Sequence, residues 1–211
     1  MKYLAISAPA HLQPFVKAFW IFEGNCDTHP YVYRSMADGC AELIFHYKGI
    51  FREPGETGTP FYAGLHAQSQ QFKRFITHDP FGIFGAYLYP YAIPLLFGLS
   101  AHEATNQMPD MQTLLGAKGR ELEEQMITAP DNSVRVNIIT RFLEKRLVHL
   151  FPQSNPVFSA IQYVIHSCEV INIRQLSAMF CMSERTLERR FKEYAGLSPK
   201  LLSRIIRFKA T

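Results

Sequence analysis

The chain has 211 residues, of which 47% are hydrophobic and 19% charged, with a formal net charge of +4. That composition excludes a mainly disordered chain and leaves room for one large domain or two small ones. The charge is uneven: residues 155–211 hold nine Lys/Arg against four Asp/Glu, while residues 1–154 hold thirteen against fourteen. The positive excess therefore lies in the last quarter, as in a basic module that meets a polyanion.

Cys26, Cys40, Cys168 and Cys181 form no C-x-x-C pair, so they read as reduced, mostly buried thiols of a cytoplasmic protein. Ala8-Pro9-Ala10 imitates a leader-peptide cleavage site, but the apolar run at 3–6 before it is too short for a leader core. Residues 81–101 carry no charge. Their prolines (Pro90, Pro94) and glycines (Gly82, Gly85, Gly98) argue for a buried strand followed by a Pro-started short helix, not for a membrane span.

In chain order, Leu12, Phe15, Val16, Phe19 and Trp20 recur at helical spacing and predict one short helix. Strand-like runs follow at 19–23, 31–35, 41–47, 71–77 and 81–89. Turn clusters separate them at Gly24-Asn25, Ala37-Asp38-Gly39 and 53–60. Such spacing predicts a β-rich unit over 1–110, a cupin-like barrel or a sandwich. The chain then turns helical. The stretch 112–129 is interrupted by Gly116 and Gly119. The stretch 131–150 has Asp131 or Asn132 as its cap and Val134, Ile138 and Phe142 (or Ile139 and Leu143) with Leu147 as its stripe. Residues 111–152 form a helical linker that ends at 151–156, where Pro152 and Pro156 cannot continue a helix.

The last segment, 155–211, is all-α. Ser154 or Asn155 caps a helix whose buried face is Val157, Phe158, Ile161, Val164, Ile165 and Cys168. A short helix over 173–180, a turn at Cys181-Met182-Ser183 and a helix over 184–195 then make a helix-turn-helix. Leu176, Phe180, Met182, Leu187 and Phe191 lock the pair. Gly196 ends the second helix, and Ser198-Pro199 opens a last one. On the outer face Arg185, Glu188, Arg189 and Lys192 fall at i, i+3, i+4 and i+7, one polar stripe behind a Ser183 cap. Arg can pair bidentately with guanine and Glu can accept from cytosine. Lys192, a turn further on, suits a phosphate.

The runs Ile173-Arg174-Gln175-Leu176-Ser177, Met182-Ser183-Glu184-Arg185-Thr186-Leu187-Glu188-Arg189-Arg190-Phe191-Lys192 and Gly196-Leu197-Ser198-Pro199-Lys200 resemble the first half of an AraC-type DNA-binding domain. Phe19-Trp20 and Asp38-Gly39-Cys40-Ala41-Glu42-Leu43-Ile44-Phe45 resemble a domain of unknown function that precedes such modules. The resemblance implies a cytoplasmic bacterial transcription regulator. Its 1–110 unit would sense a small-molecule effector or form a homodimer. It would bind double-stranded DNA with base readers at Arg185, Glu188 and Arg189, and meet RNA polymerase rather than a membrane. The family's domain has two helix-turn-helices, and the residues up to Thr211 hold only the first, so DNA binding by this chain is expected to be weak. Ser177 and Cys181 stand where the family has small Ala and Gly, and Cys181 strains the turn if a positive φ is required there.

Other chemistry finds little support. None of the eight histidines forms the H-x-H pair of a cupin metal site. Glu42 and His46 share a strand face that His66 could join, but a cross-strand polar cluster explains them as well. His102-Glu103-Ala104-Thr105-Asn106 begins like a zinc-protease motif and lacks its second ligand. The chain is read as no enzyme, with no cofactor and no metal. A cupin-like metalloenzyme and a non-DNA-binding dimerisation module remain the alternatives. Tyr62, Tyr87 and Tyr89 are the candidate ligand-binding residues, with Tyr87 and Tyr89 on one strand face.

Overall fold

A computed structural model describes residues 1–26, 29–55, 57, 60–147, 155–167 and 169–210. Five strands, β1 (Lys2–Ile6), β2 (Val16–Gly24), β4 (Ala41–Lys48), β5 (Ala63–His66) and β7 (Phe81–Leu88), form an antiparallel sheet in the order β1-β2-β7-β4-β5. A second, two-stranded sheet joins β3 (Tyr31–Ser35) to β6 (Lys73–Thr77). The fold is thus α+β with its strands first and its helices last. Of the barrel and the sandwich expected, the closed barrel is not found: among the described residues the five-stranded sheet stays open, with β1 and β5 at its edges.

Strand alternation decides what each face must do. On one face Phe19, Ile21, Leu43, Phe45, Leu65, Phe84 and Leu88 are buried in a core shared with the helices. On the other, Trp20, Ile44, Phe81 and Ile83 form a second cluster with Phe51 and Phe75, the latter brought by β6. The small sheet is therefore the cover of the second face. A bridge between Arg52 and Ile76 ties the segment after β4 to it.

Helices α1 (Ala92–Phe97), α2 (Ala101–Ala104), α3 (Met111–Leu115), α4 (Ala117–Thr128) and α5 (Asn132–Leu147) cover the first face. Gly116, at φ 61°, is the break between α3 and α4. Asp131 caps α5, accepting from Val134 N at 2.9 Å. Of the two stripes weighed for this helix, Ile139, Leu143 and Leu147 are the buried one, joined by Arg135. The guanidinium of Arg135 donates to the carbonyls of Met126 at 3.0 Å and Ala129 at 2.7 Å and to Asn132 Oδ1 at 3.0 Å. It also lies 3.8 Å from the Tyr47 ring centre. One cation thus fastens the α4–α5 corner to the sheet.

The remaining helices among the described residues are α6 (Pro156–Ser167), α7 (Ile173–Met179), α8 (Glu184–Ala195) and α9 (Pro199–Ala210). Asn155 caps α6, its side chain accepting from Val157 N at 3.1 Å. The apolar core runs without interruption from the sheet through Ile161, Leu187, Phe191 and Leu202. Three hydrogen bonds tie the end of α8 to the earlier chain: Gln68 Nε2 to Ala195 O, Thr105 Oγ1 to Gly196 O and Ser100 Oγ to Glu193 O, each 3.2 Å. Lys209 of α9 pairs with Asp38 at 3.0 Å.

Several expectations are corrected. The helix predicted from Leu12 to Trp20 is a hydrogen-bonded turn, with Leu12 N on Pro9 O and Val16 N on Leu12 O at 2.8 Å each, followed by β2. Leu12 and Phe15 still enter the core, but ladder pairing with β1 and β7 overrides the helical spacing of the rest. Strands β1 and β5 were absent from the predicted runs. β1 is largely exposed and β5 has four residues, two of them Ala and Gly. The thiols are also less buried than expected: Cys40 is buried, Cys26 half-buried and Cys181 exposed. Cys168, Ser154, most of the 151–156 boundary and the end of the 131–150 helix lie outside the described residues. No described helix is long and apolar enough to cross a membrane.

Arg135→Ala leaves two carbonyls without their donor and uncovers the Tyr47 ring. It is expected to lower stability by about 3 kcal/mol, read as a drop in the urea midpoint with an unchanged slope.

Candidate nucleic-acid interface and a cavity on the second sheet face

The turn between α7 and α8 is built by backbone geometry that a side chain resists. Cys181 has φ 53°, the left-handed region that costs a residue with a Cβ. Its N–H reaches Ala178 O at 3.2 Å, and Met182 N reaches Ser177 O at 2.9 Å. Ser183 then caps α8, accepting from Thr186 N at 3.2 Å. Leu187, Phe191 and Ala195 are the buried face of α8, with Leu176 of α7 also in the core. Phe180 and Met182 are only partly buried against it.

Ser183, Arg185, Glu188, Arg189 and Lys192 are all exposed, so the structure brings the predicted stripe together on one solvent face of α8. Arg189 and Glu193 pair at 3.9 Å with side chains 66% and 45% exposed, a contact weak enough to yield to a phosphate or a base.

The predicted ligand residues do not converge. Tyr62 is exposed. Tyr87 lies on the second face of the sheet, with its ring 5.9 Å from that of Trp20. Tyr89 follows the end of β7 and stacks on Tyr91 at 5.7 Å, among the residues of the other core. They are thus on different sides, because the strand ends before Tyr89.

The second face of the sheet instead holds a cavity of about 140 Å³ under the β3–β6 cover. Phe51, Phe61 and Phe75 contribute to its walls, together with Trp20, Glu42 and His66. Trp20 reaches it because Gly85, its partner on β7, has no side chain: a Cβ there would lie 2.1 Å from the indole. Glu42 and His66 face each other across β4 and β5. Lys73 and Glu53, paired at 2.6 Å, also line it. The sequence placed Glu42, His46 and His66 together, but nothing in it announced that Trp20, Phe51 and Phe75 would close over them.

Burial dominates the titration of this region. It pushes Glu42 up to about 8, helped by Asp38 and opposed by the Tyr87 hydroxyl and Lys209. It pushes His46 down to about 4 against its backbone hydrogen bonds to Tyr62 and Phe61. His66 is held at about 4 by burial and by Lys73. The carboxyl is therefore protonated and both imidazoles are neutral at neutral pH. Among the described residues no three His, Cys, Asp or Glu side chains come together as metal ligands, so the set considered at Glu42, His46 and His66 is not assembled.

A family described as "Domain of unknown function (DUF6597)" matches residues 5–110, half of the chain, and the chain belongs to that family. No curated protein matches it. A solved structure described as "Crystal structure of the AraC-like transcriptional activator CuxR" is similar at a TM-score of 0.30 and 14% identity, over 99% of this chain and 84% of that one.

Glu42 binds a proton in the fold that it releases when unfolded. Its stabilising contribution is complete below about pH 4.5 and is lost as pH rises through about 8. His46 and His66 act oppositely: their contribution is present above about pH 6.5 and is lost as pH falls through about 4. Glu42→Gln keeps an acceptor for Tyr87 and removes the proton. Urea midpoints are expected to fall between about pH 6.5 and 8 for the native chain and to stay level for the variant.

Proposed function

We propose that the chain is a sequence-specific DNA-binding transcription regulator. The observation that carries this reading is the solvent face of α8. Arg185, Glu188, Arg189 and Lys192 stand exposed in one stripe on a helix whose opposite face is fixed by Leu187 and Phe191. With α7 and the capped turn, α8 makes a helix-turn-helix whose second helix fits a major groove. Arg185 and Arg189 read guanine edges, Glu188 selects against bases that cannot donate, and Lys192 holds a phosphate. The excess positive charge of residues 155–211 supplies the attraction that does not depend on sequence.

In this reading residues 1–110 form the sensory or dimerisation unit, 111–152 the helical linker and 155–211 a partial AraC-type module. A second copy of the chain, a small effector and RNA polymerase are its further partners. The hydrogen bonds from Gln68, Ser100 and Thr105 to the end of α8 give the first unit a direct grip on the reading helix.

The test is selection of bound sequences from a random duplex library, followed by anisotropy titrations over a salt series. The logarithm of affinity is expected to fall linearly with that of salt, by about 0.9 for each phosphate neutralised. Arg189→Ala should weaken the selected site by about 1–3 kcal/mol and relax one base position. Absence of duplex binding at low salt, or an unchanged preference in the variant, overturns the reading.

A further inference from the structure

The cavity beneath β3–β6 has the size of an occupant and the polarity of one. A cavity of about 150 Å³ lined by apolar side chains accepts benzene, and this one measures about 140 Å³. Its wall also carries the polar side chains of Tyr33, Glu42, His46, Glu53, His66 and Lys73, and two polar atoms of its lining residues stand out. Trp20 Nε1 and His66 Nε2 are buried without a hydrogen-bond partner, in lining residues only 5% and 7% exposed. Buried polar groups are overwhelmingly paired, so unpaired ones on a cavity wall point to what fills it.

The chemistry of the wall narrows the occupant. Phe51, Phe61 and Phe75 present ring edges and faces suited to another flat ring. The indole N–H only donates, so it asks for an acceptor. An imidazole nitrogen donates or accepts according to tautomer. A hydroxyl on an aromatic ring can serve either. We infer that this cavity binds a small uncharged aromatic molecule of the phenol class, its polar substituents pairing with the Trp20 indole N–H and His66 Nε2.

The titratable residues of the lining are Tyr33, Glu42, His46, Glu53, His66 and Lys73. Glu42 is held protonated and both histidines neutral by burial, and Lys73 is paired with Glu53. Among the described lining residues the charges that remain, Lys73 and Glu53, offset each other, so the wall favours a neutral occupant. The inference stands whether or not α8 meets DNA, and its test contains no DNA.

Trp20 is the single tryptophan of the chain, so its emission, excited where phenol is transparent, reports the cavity directly. Phenol, toluene and benzoate are titrated into the full chain while emission and Tm are followed. Phenol is expected to change the emission saturably and raise Tm. Toluene, of the same size without a polar atom, should bind about tenfold more weakly, and benzoate should not bind. His66→Phe keeps a buried ring and removes the nitrogen, so it should abolish most of the preference for phenol over toluene. The ligand ranking on the native chain decides the matter even if that variant fails to fold. A flat response to phenol at about 10 mM, equal binding of phenol and toluene, or tighter binding of benzoate each overturns the inference.

Discussion

Strands β7 and β4 lie inside the sheet, and large apolar side chains project from both their faces. Neither face can be left to water. Burying a side chain such as Phe84 or Ile83 is favourable by about 1.5–3 kcal/mol, and both are buried. The helices cover the side that carries Phe45 and Phe84. The β3–β6 pair covers the side that carries Ile44 and Ile83. This double covering explains why a second, minimal sheet exists. It also explains why polar residues of alternating strand positions, Glu42 and His66, end up enclosed: they share the face of Ile44, and the cover that shields the apolar residues shields them too.

The helical cover has a second consequence, because its core continues into α6–α9. The end of α8 is held by side chains from the segment after β5 and from around α2, acting on backbone carbonyls rather than on charges. Neutral hydrogen bonds of this kind, two of the three buried, are insensitive to salt, unlike contacts with phosphates. The helix is therefore positioned by interactions that persist under the conditions that modulate its proposed ligand. Its outer residues remain unencumbered apart from the loose Arg189–Glu193 contact.

Legibility in the sequence followed physical locality. Helices α5, α6, α8 and α9 were readable because cap and stripe are set within one helix: Asp131, Asn155 and Ser183 cap and Gly196 ends α8 as their positions suggested. The α8 stripe was readable for the same reason. The turn at 10–15 was misread because i, i+3 spacing describes residues entering a core from a turn as well as from a helix. β5 was missed because its strand character comes from pairing with β4, not from Ala63 and Gly64 themselves. The cavity lay furthest out of reach. It depends on β6 bringing Phe75 to the cluster of Ile44, a meeting of segments distant in sequence that no local pattern encodes. Tyr87 and Tyr89 show the complementary failure: alternation holds only while the strand lasts.

Gly85 makes two distant positions answerable to each other. The indole of Trp20 occupies the space that any side chain at 85 would need. A β-branched or aromatic residue at 85, otherwise favoured in a strand interior, is thus forbidden while position 20 holds a large ring. Across related chains the two sites should vary as a pair, with a side chain at 85 accompanied by a small residue at 20. Where that exchange has happened, one wall of the cavity is gone, and the kind of molecule it fits will have changed with it.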